Sequence, residues 1–245
     1  MFNFFATQPK TNNTYILDGE NFNHLVHVLR INVGEDILVS FDGKTDLCAV
    51  TKIEKTFATV SVLQENFQDT HLPISITLMQ GLPKGDKMEL IIQKAVEVGA
   101  DAIIPVETER SIVKLIGNKK DNKIARWQAI SKSAAEQSKR NDIPTVGSAV
   151  TFKQAMETLK DFDLVIMPYE CENGTISTKN TLCKIKSGMK IAVIIGPEGG
   201  FSEKEVTLAK ENRVETVSLG KRILRTETAS IATLSMLMLY AEMCL

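Results

Sequence analysis

Residues 191–206 read IAVIIGPEGGFSEKEV. The apolar run Ile191 to Ile195 is too short for a helix and has the character of a buried strand. It stops at a glycine-rich turn, Gly196-Pro197-Glu198-Gly199-Gly200. Ser202, followed three residues later by Glu205, forms the S-x-x-E capping box that opens a helix. A strand, a glycine turn and a helix start at the carboxyl edge of a parallel sheet mark the place where α/β folds bind ligands. Glycines let the backbone come close to a ligand and offer bare N–H and C=O groups. The spacing is not G-x-G-x-x-G and there is no G-K-[ST], so neither a dinucleotide fingerprint nor a P-loop is supported. Taken alone, the segment also reads as an ordinary tight βα turn.

The pattern around this stretch is alternating strand and helix from Ile74 onward. Strands are expected at ISITLMQ, AIIPV, LVIMP and VETVSLG. Helices are expected over 86–98, stopped by Gly99, over 122–140, over 202–212 and over 226–243. This is the rhythm of an α/β fold with a mainly parallel sheet. The first 70 or so residues differ. DILVSF, the Asp42-Gly43 turn, LCAVTKI and FATVSVLQ read as short strands. NFNHLVHVLR reads as one small helix with Leu25, Val28 and Leu29 on a single face. A compact β-barrel over 1–70 is expected, then a linker over 66–73 and an α/β domain over 74–245.

A second informative stretch, LGKRILRTETAS, runs from Leu219 to Ser230. Arg225 falls at the start of the last helix, where the helix dipole disfavours a cation. Glu227, Glu198 or an anionic ligand must offset it. The last helix itself, ASIATLSMLMLYAEM, is apolar on nearly every face. It is expected to be buried on all sides, by the sheet plus either other helices or a partner subunit, an apolar dimer interface being the economical reading.

Composition narrows the function classes. The chain has 245 residues, 43% of them hydrophobic and 24% charged, with a net charge of −1. That is a globular protein and no polycation. Charge is unevenly spread: residues 1–72 hold nine acidic to five basic residues, whereas 110–140 holds nine basic to two acidic. A local basic patch of that kind suits phosphates, and also fits a solvated helix face. Cys48, Cys171, Cys183 and Cys244 are scattered without metal-ligand spacing, and no membrane span or secretory signal is seen, so a reducing cytoplasm is expected. His24 and His27 lack a third ligand, and no metal is expected. Trp127 reads as core more readily than as a base-stacking side chain. Met236, Met238 and Met243 read as packing.

GPEGGFSEKE together with SLGKRILRTETA resembles the SPOUT methyltransferase superfamily, and within it the RsmE family of ribosomal RNA small-subunit methyltransferases. HLVHVLR, FDGK, LPKGDKMELIIQKAVEVG, ERS at Glu109 to Ser111, and RW followed by AAEQSKR agree with that family in the same order. The resemblance implies a PUA-like RNA-binding barrel over 1–70. It implies a SPOUT-type parallel sheet over 74–245 with a C-terminal trefoil knot. It also implies a cytoplasmic homodimer that uses S-adenosyl-L-methionine to methylate N3 of a uridine in 16S rRNA.

Carried over position by position, the cofactor would be held by Pro168, Tyr169 and Glu170, then Ile195, Gly196, Pro197, Gly199 and Gly200. The third segment supplies Leu219, Gly220, Ile223, Leu224, Arg225, Thr226 and Thr228. Uridine N3 carries a proton, so the site needs a base or a cation that stabilises the uracil anion. Arg225 is expected as that cation, with Glu198 and Glu227 as base or as groups that orient it. Arg30, Lys84, Lys87, Arg110, Arg126 and Arg140 are expected to contact RNA. The competing readings are a SPOUT enzyme acting on another RNA, a non-catalytic RNA-binding assembly factor, and a nucleotide-phosphate enzyme. Intact Gly196, Gly199, Gly200 and Arg225 argue against lost catalysis, and the missing P-loop lysine argues against the last.

Overall fold

The computed structural model describes residues 1–115, 118–169 and 175–245. The chain divides into two compact units: Met1–His71 with Ala135–Ile143, and Leu72–Ala134 with Pro144–Leu245. Residues 135–143, which the sequence pattern leaves inside the C-terminal half, therefore group with the first unit.

In the first unit β1 (Asn3–Phe5), β2 (Thr14–Asp18), β3 (Asp36–Phe41), β4 (Lys44–Ile53) and β5 (Phe57–Gln68) form one sheet in the order β1-β3-β4-β5-β2. It is a curled half-barrel with β1 and β2 at its edges. Alternate side chains bury Phe4, Leu17, Ile37, Val39, Cys48, Val50, Val60 and their neighbours in one core. The short helix α1 (Gly19–Asn23) runs directly into a π-helical turn, His24–Val28, closed by Leu29 N–H donating to the His24 carbonyl. The wider turn changes the expected face. Leu25 is fully buried, but Val28 is left 66% exposed. The strand β5 also runs to Gln68, three residues into the stretch expected as linker.

The residues that follow β5 are tied to 139–142. The Asn141 side-chain carbonyl accepts from the Thr70 N–H at 2.7 Å, and Gln68 Nε2 donates to the Lys139 carbonyl at 2.7 Å. Asn3 Nδ2 donates to the Arg140 carbonyl at 3.0 Å. His71 stands between two carboxylates, with Nδ1 2.6 Å from Asp69 and Nε2 2.8 Å from Asp142.

In the second unit the sheet runs β12-β10-β11-β6-β7-β8, with β9 also on β7. Its strands are β6 (Ser75–Gly81), β7 (Ala102–Glu107), β8 (Thr145–Val146), β9 (Val150–Thr151), β10 (Leu164–Pro168), β11 (Lys190–Ile195) and β12 (Glu215–Val217). The pairings β6–β7, β6–β11, β10–β11 and β10–β12 are all parallel. The helices are α2 (Lys87–Glu97), α3 (Asn118–Ser138), α4 (Phe152–Glu157), α5 (Ile176–Leu182), α6 (Glu203–Glu211) and α7 (Thr226–Cys244).

One core joins sheet residues such as Met79, Ala192 and Ile194 to Phe152 and Met156 of α4 and Val206 and Ala209 of α6. The helices α2 and α7 pack on each other, and α7 also packs on β11. Trp127 is buried, as a core residue. Within the chain, α7 buries one stripe, Ser230, Thr233, Leu234, Leu237 and Ala241, and leaves Leu239 and Met243 exposed. No helix among the described residues is long and apolar enough to cross a membrane.

The end of β6 comes very close to the glycine turn. A Cβ on Gly81 would lie 2.7 Å from both Cδ and N of Pro197 and 2.9 Å from the Ile195 carbonyl oxygen. Gly81→Ala is expected to destabilise the second unit by about 1–3 kcal/mol through overpacking, measured by urea unfolding.

The first unit carries its own pH dependence. The Asp142 hydrogen bond, with Asp69 on the other side, holds the His71 pKa above its ordinary 6.5 against partial burial. The stabilisation is therefore complete below pH 6.5 and is lost as the pH rises through the raised value. Unfolding midpoints measured between pH 5.5 and 8.5 should show a loss in the wild-type chain that His71→Gln flattens.

Candidate functional site

Three strand ends meet at the carboxyl edge of the second sheet. Pro168 ends β10, Ile195 ends β11, and Ser218 follows β12. Tyr169 after β10 and the turns after β11 and β12 border a cavity of about 400 Å³. That volume falls in the range of small-molecule sites, and its position follows the rule for open α/β sheets.

Each wall has a local reason for its shape. The 196–201 wall is pulled down by Phe201, which is buried against Phe152 with ring centroids 5.7 Å apart. Ser202 caps α6 with the full reciprocal box: its hydroxyl accepts from the Glu205 N–H, and Glu205 Oε2 accepts from the Ser202 N–H at 2.9 Å. Gly200 and Gly220 have φ of +65° and +106°, a region that favours glycine. The 218–225 wall ends at the head of α7. There Thr226 Oγ1 donates to the Gly196 carbonyl at 2.6 Å and accepts from Gln80 Nε2 at 3.0 Å. Ser230 donates to the other end of the Gln80 amide.

The expected cofactor residues are largely brought together. Pro168, Tyr169, Ile195, Gly196, Pro197, Gly200, Leu219, Gly220, Ile223, Leu224, Arg225 and Thr226 line the cavity. Gly199 and Thr228 do not. The missing side chain of Gly199 faces Arg110, whose Cβ would lie 3.0 Å from an added Cβ, so that glycine makes room for an arginine. Thr228 is exposed on the first turn of α7 and does not border the cavity, although Thr226 and Ala229 on either side of it do. Glu170 lies outside the described residues. Lys87, Phe201, Ser218, Lys221, Arg222 and Ala229 also line the cavity. Phe201, Ser218, Lys221, Arg222 and Ala229 sit inside the two motifs already singled out, so their neighbours in sequence were the available signal.

The expected catalytic residues separate. Arg225 is exposed, lines the cavity and, among the described residues, makes no ion pair. The expected offset by Glu198 or Glu227 is absent, because both carboxylates are taken by Lys87. Its Nζ lies 2.9 Å from Glu198 and 3.4 Å from Glu227. Glu198 also accepts from the Lys84 N–H at 3.2 Å. Burial pushes the Glu198 carboxyl up, but the Lys87 bond and backbone N–H groups outweigh it and hold it below the usual carboxylate range. Glu227 does not line the cavity, and its Oε2 is buried without a hydrogen bond.

The expected RNA contacts also sort by environment. Arg30 and Lys84 are exposed. Arg110 donates to the Gly199 carbonyl at 3.0 Å, and Arg126 pairs with Glu89 at 2.9 Å. Arg140 is only 6% exposed, so its side chain is not a surface phosphate contact. The helical periodicity that put Arg140 on a solvated face ends at Ser138, and Lys139 turns with φ of +57°. No cluster of metal-ligating side chains exists among the described residues.

Thr226→Val should leave the Gly196 carbonyl without its Thr226 donor and cost the Gln80 amide nitrogen one of its two acceptors, the Gly81 carbonyl remaining. A loss of about 1–3 kcal/mol in thermal unfolding is expected.

Comparison with known proteins agrees with this geometry. A family model described as an RNA methyltransferase domain matches residues 70–238, and one described as an RNA methyltransferase PUA domain matches 17–63. Ribosomal RNA small subunit methyltransferase E from Bacillus subtilis is 39% identical over 94% of this chain and 91% of its own length. The protein of the same name from Synechocystis is 32% identical over 91% of this chain and 72% of its own. A crystal structure of ribosomal RNA small subunit methyltransferase E from Neisseria gonorrhoeae, bound to S-adenosyl methionine, superposes with a TM-score of 0.83 at 34% identity, over 96% of each chain. The chain with the half-barrel, the parallel sheet and the three-walled cavity belongs to the ribosomal RNA small subunit methyltransferase E family of RNA methyltransferases.

Proposed function

We propose that this chain transfers a methyl group from S-adenosyl-L-methionine to N3 of a uridine in the 16S RNA of the small ribosomal subunit. The observation that carries the reading is the cavity where three strand ends converge with an unpaired arginine in its wall. The family supports the reaction class and the rRNA substrate. The residues fit the cofactor: Gly196, Gly200 and Gly220 bring bare backbone to the cavity wall, and Leu219, Ile223, Leu224 and Pro168 give apolar surface for an adenine ring. When bound, S-adenosylmethionine supplies an activated methyl carbon.

The protein's part is to position the base and manage its charge. Arg225 is permanently cationic, and its fork suits a carbonyl oxygen of uracil, where charge accumulates as the N3 proton leaves. Glu198 is the carboxylate in the cavity wall and is assigned the proton. A carboxylate is a far weaker base than the uracil anion, so stabilisation by Arg225 carries more of the barrier than proton removal does. The target base is taken as flipped out of its stack, and phosphate contacts from exposed cations such as Arg30 and Lys84 hold the RNA.

The first unit is assigned as the PUA-like RNA-binding part, residues 1–70 with the returning segment, and 74–245 as the transferase. The cytoplasm is the proposed location. The trefoil knot is supported by the path of the chain. It leaves β12 at the sheet edge and returns to α7, whose head is bonded to the turn after β11, two strands inward. A homodimer is supported by the half-exposed apolar side of α7, carrying Met236, Met238, Leu239 and Met243.

Mass spectrometry of 16S rRNA from a strain lacking the gene should show one uridine without its N3 methyl group, restored by the purified chain. Arg225→Ala should lower kcat at least about 100-fold while the fold is retained. Near-normal turnover would remove Arg225 from the reaction. Absence of calorimetric binding of S-adenosylmethionine to the wild-type chain would overturn the cofactor assignment.

A further inference from the structure

Lys87 is the first residue of α2, with Asp86 as its N-cap. A cation at that position is opposed by the helix dipole. It is compensated by two carboxylates from separate parts of the chain, Glu198 on the turn after β11 and Glu227 on the first turn of α7. One ammonium thus joins three elements that border the cavity, and Lys87 itself forms part of the wall. We propose that Lys87 is a positioning residue of the transfer site, its ammonium shared between Glu198 and Glu227 so that the cavity's carboxylate and the head of α7 are fixed to the start of α2. The inference rests on the reading of this cavity as the methyl-transfer site.

The geometry favours this role over a phosphate contact. The Glu227 side chain is 16% exposed and its Oε2 has no hydrogen bond, so Lys87 is its compensating charge. Leaving the two carboxylates to bind an RNA phosphate would strand Glu227, whose Oε2 is buried, without a counter-charge beside the second anion Glu198. Arg225 is two residues before Glu227, so whatever fixes Glu227 also fixes the backbone that carries Arg225. The other charged side chains lining the cavity are Lys221, Arg222 and Arg225, all exposed, and the neutral Lys84 N–H also bonds Glu198.

The test compares Lys87→Met and Lys87→Arg with the wild-type chain, using 16S rRNA from a strain lacking the gene as substrate. In Lys87→Met, kcat should fall about tenfold or more with KM for rRNA within about twofold, the pattern of an interaction that serves the transition state. The acid limb of its pH–rate profile should move to higher pH, because loss of the ammonium lets the Glu198 carboxyl rise. The Glu198 carboxyl, followed by carbon NMR without cofactor or RNA, should titrate at higher pH than in the wild type. Lys87→Arg should restore most of kcat. Thermal unfolding checks that each variant is folded, and the NMR titration is read on folded protein.

A Lys87→Met variant with raised KM, unchanged kcat and a salt slope of RNA binding reduced by about one would make Lys87 a phosphate contact and overturn the proposal. A variant indistinguishable from the wild type would overturn it equally. If the wild-type chain transfers no methyl group to this RNA, the proposed function fails, and the NMR arm decides the pairing alone. An unmoved Glu198 carboxyl there overturns it.

Discussion

The head of α7 is fixed by a short relay of buried hydrogen bonds, and the cavity exists because of it. Gln80 is fully buried at the end of β6. Its amide nitrogen serves Thr226 and its amide oxygen is served by Ser230, while the Thr226 hydroxyl goes on to the Gly196 carbonyl. A buried amide without partners is costly, and a relay in which every member is satisfied holds a single arrangement. Two sheet strands and a helix are thereby pinned at one point. The eight residues from Ser218 to Arg225 must arch from the end of β12 to that point, and the arch is the third wall of the cavity.

Charge is layered over this frame in an orderly way. Several basic side chains are engaged within the protein: Lys87 on two carboxylates, Arg110 on the carbonyl of Gly199, Arg126 on Glu89. Arg225 is treated differently, standing at the N-terminus of a helix with no carboxylate assigned to it. A cation kept unneutralised beside a positive helix end is held at a cost.

Much of this was legible in the residues themselves. The apolar run at 191–195, the capping box at Ser202 and Glu205 and the glycine stop at Gly99 each state a local rule that packing then obeys. The two glycine-bearing motifs located the cavity because their chemistry is local to the chain. What stayed hidden depended on contacts distant in sequence. Lys87 was legible as a surface charge but not as the partner of residues 111 and 140 positions away. Gly199 was legible as a backbone opening, yet the side it opens toward is set by Arg110. The short elements β8, β9, α4 and α5 carry too few residues for a period to show. Val28 lost its expected face because a single π turn, invisible to a 3.6-residue rule, rotates it outward.

The returning segment 135–143 has a bearing on how such a protein could have been assembled. Its backbone and Asn141 supply partners that Asn3, Gln68 and Thr70 of the first unit use. The boundary between the units is therefore crossed more than once by the chain. A recombination event that joined a new N-terminal module at residue 72 would import strands whose hydrogen-bonding complement stayed encoded some seventy codons downstream. Any lineage that exchanged one part would have had to co-evolve the other, which ties the histories of the two units together.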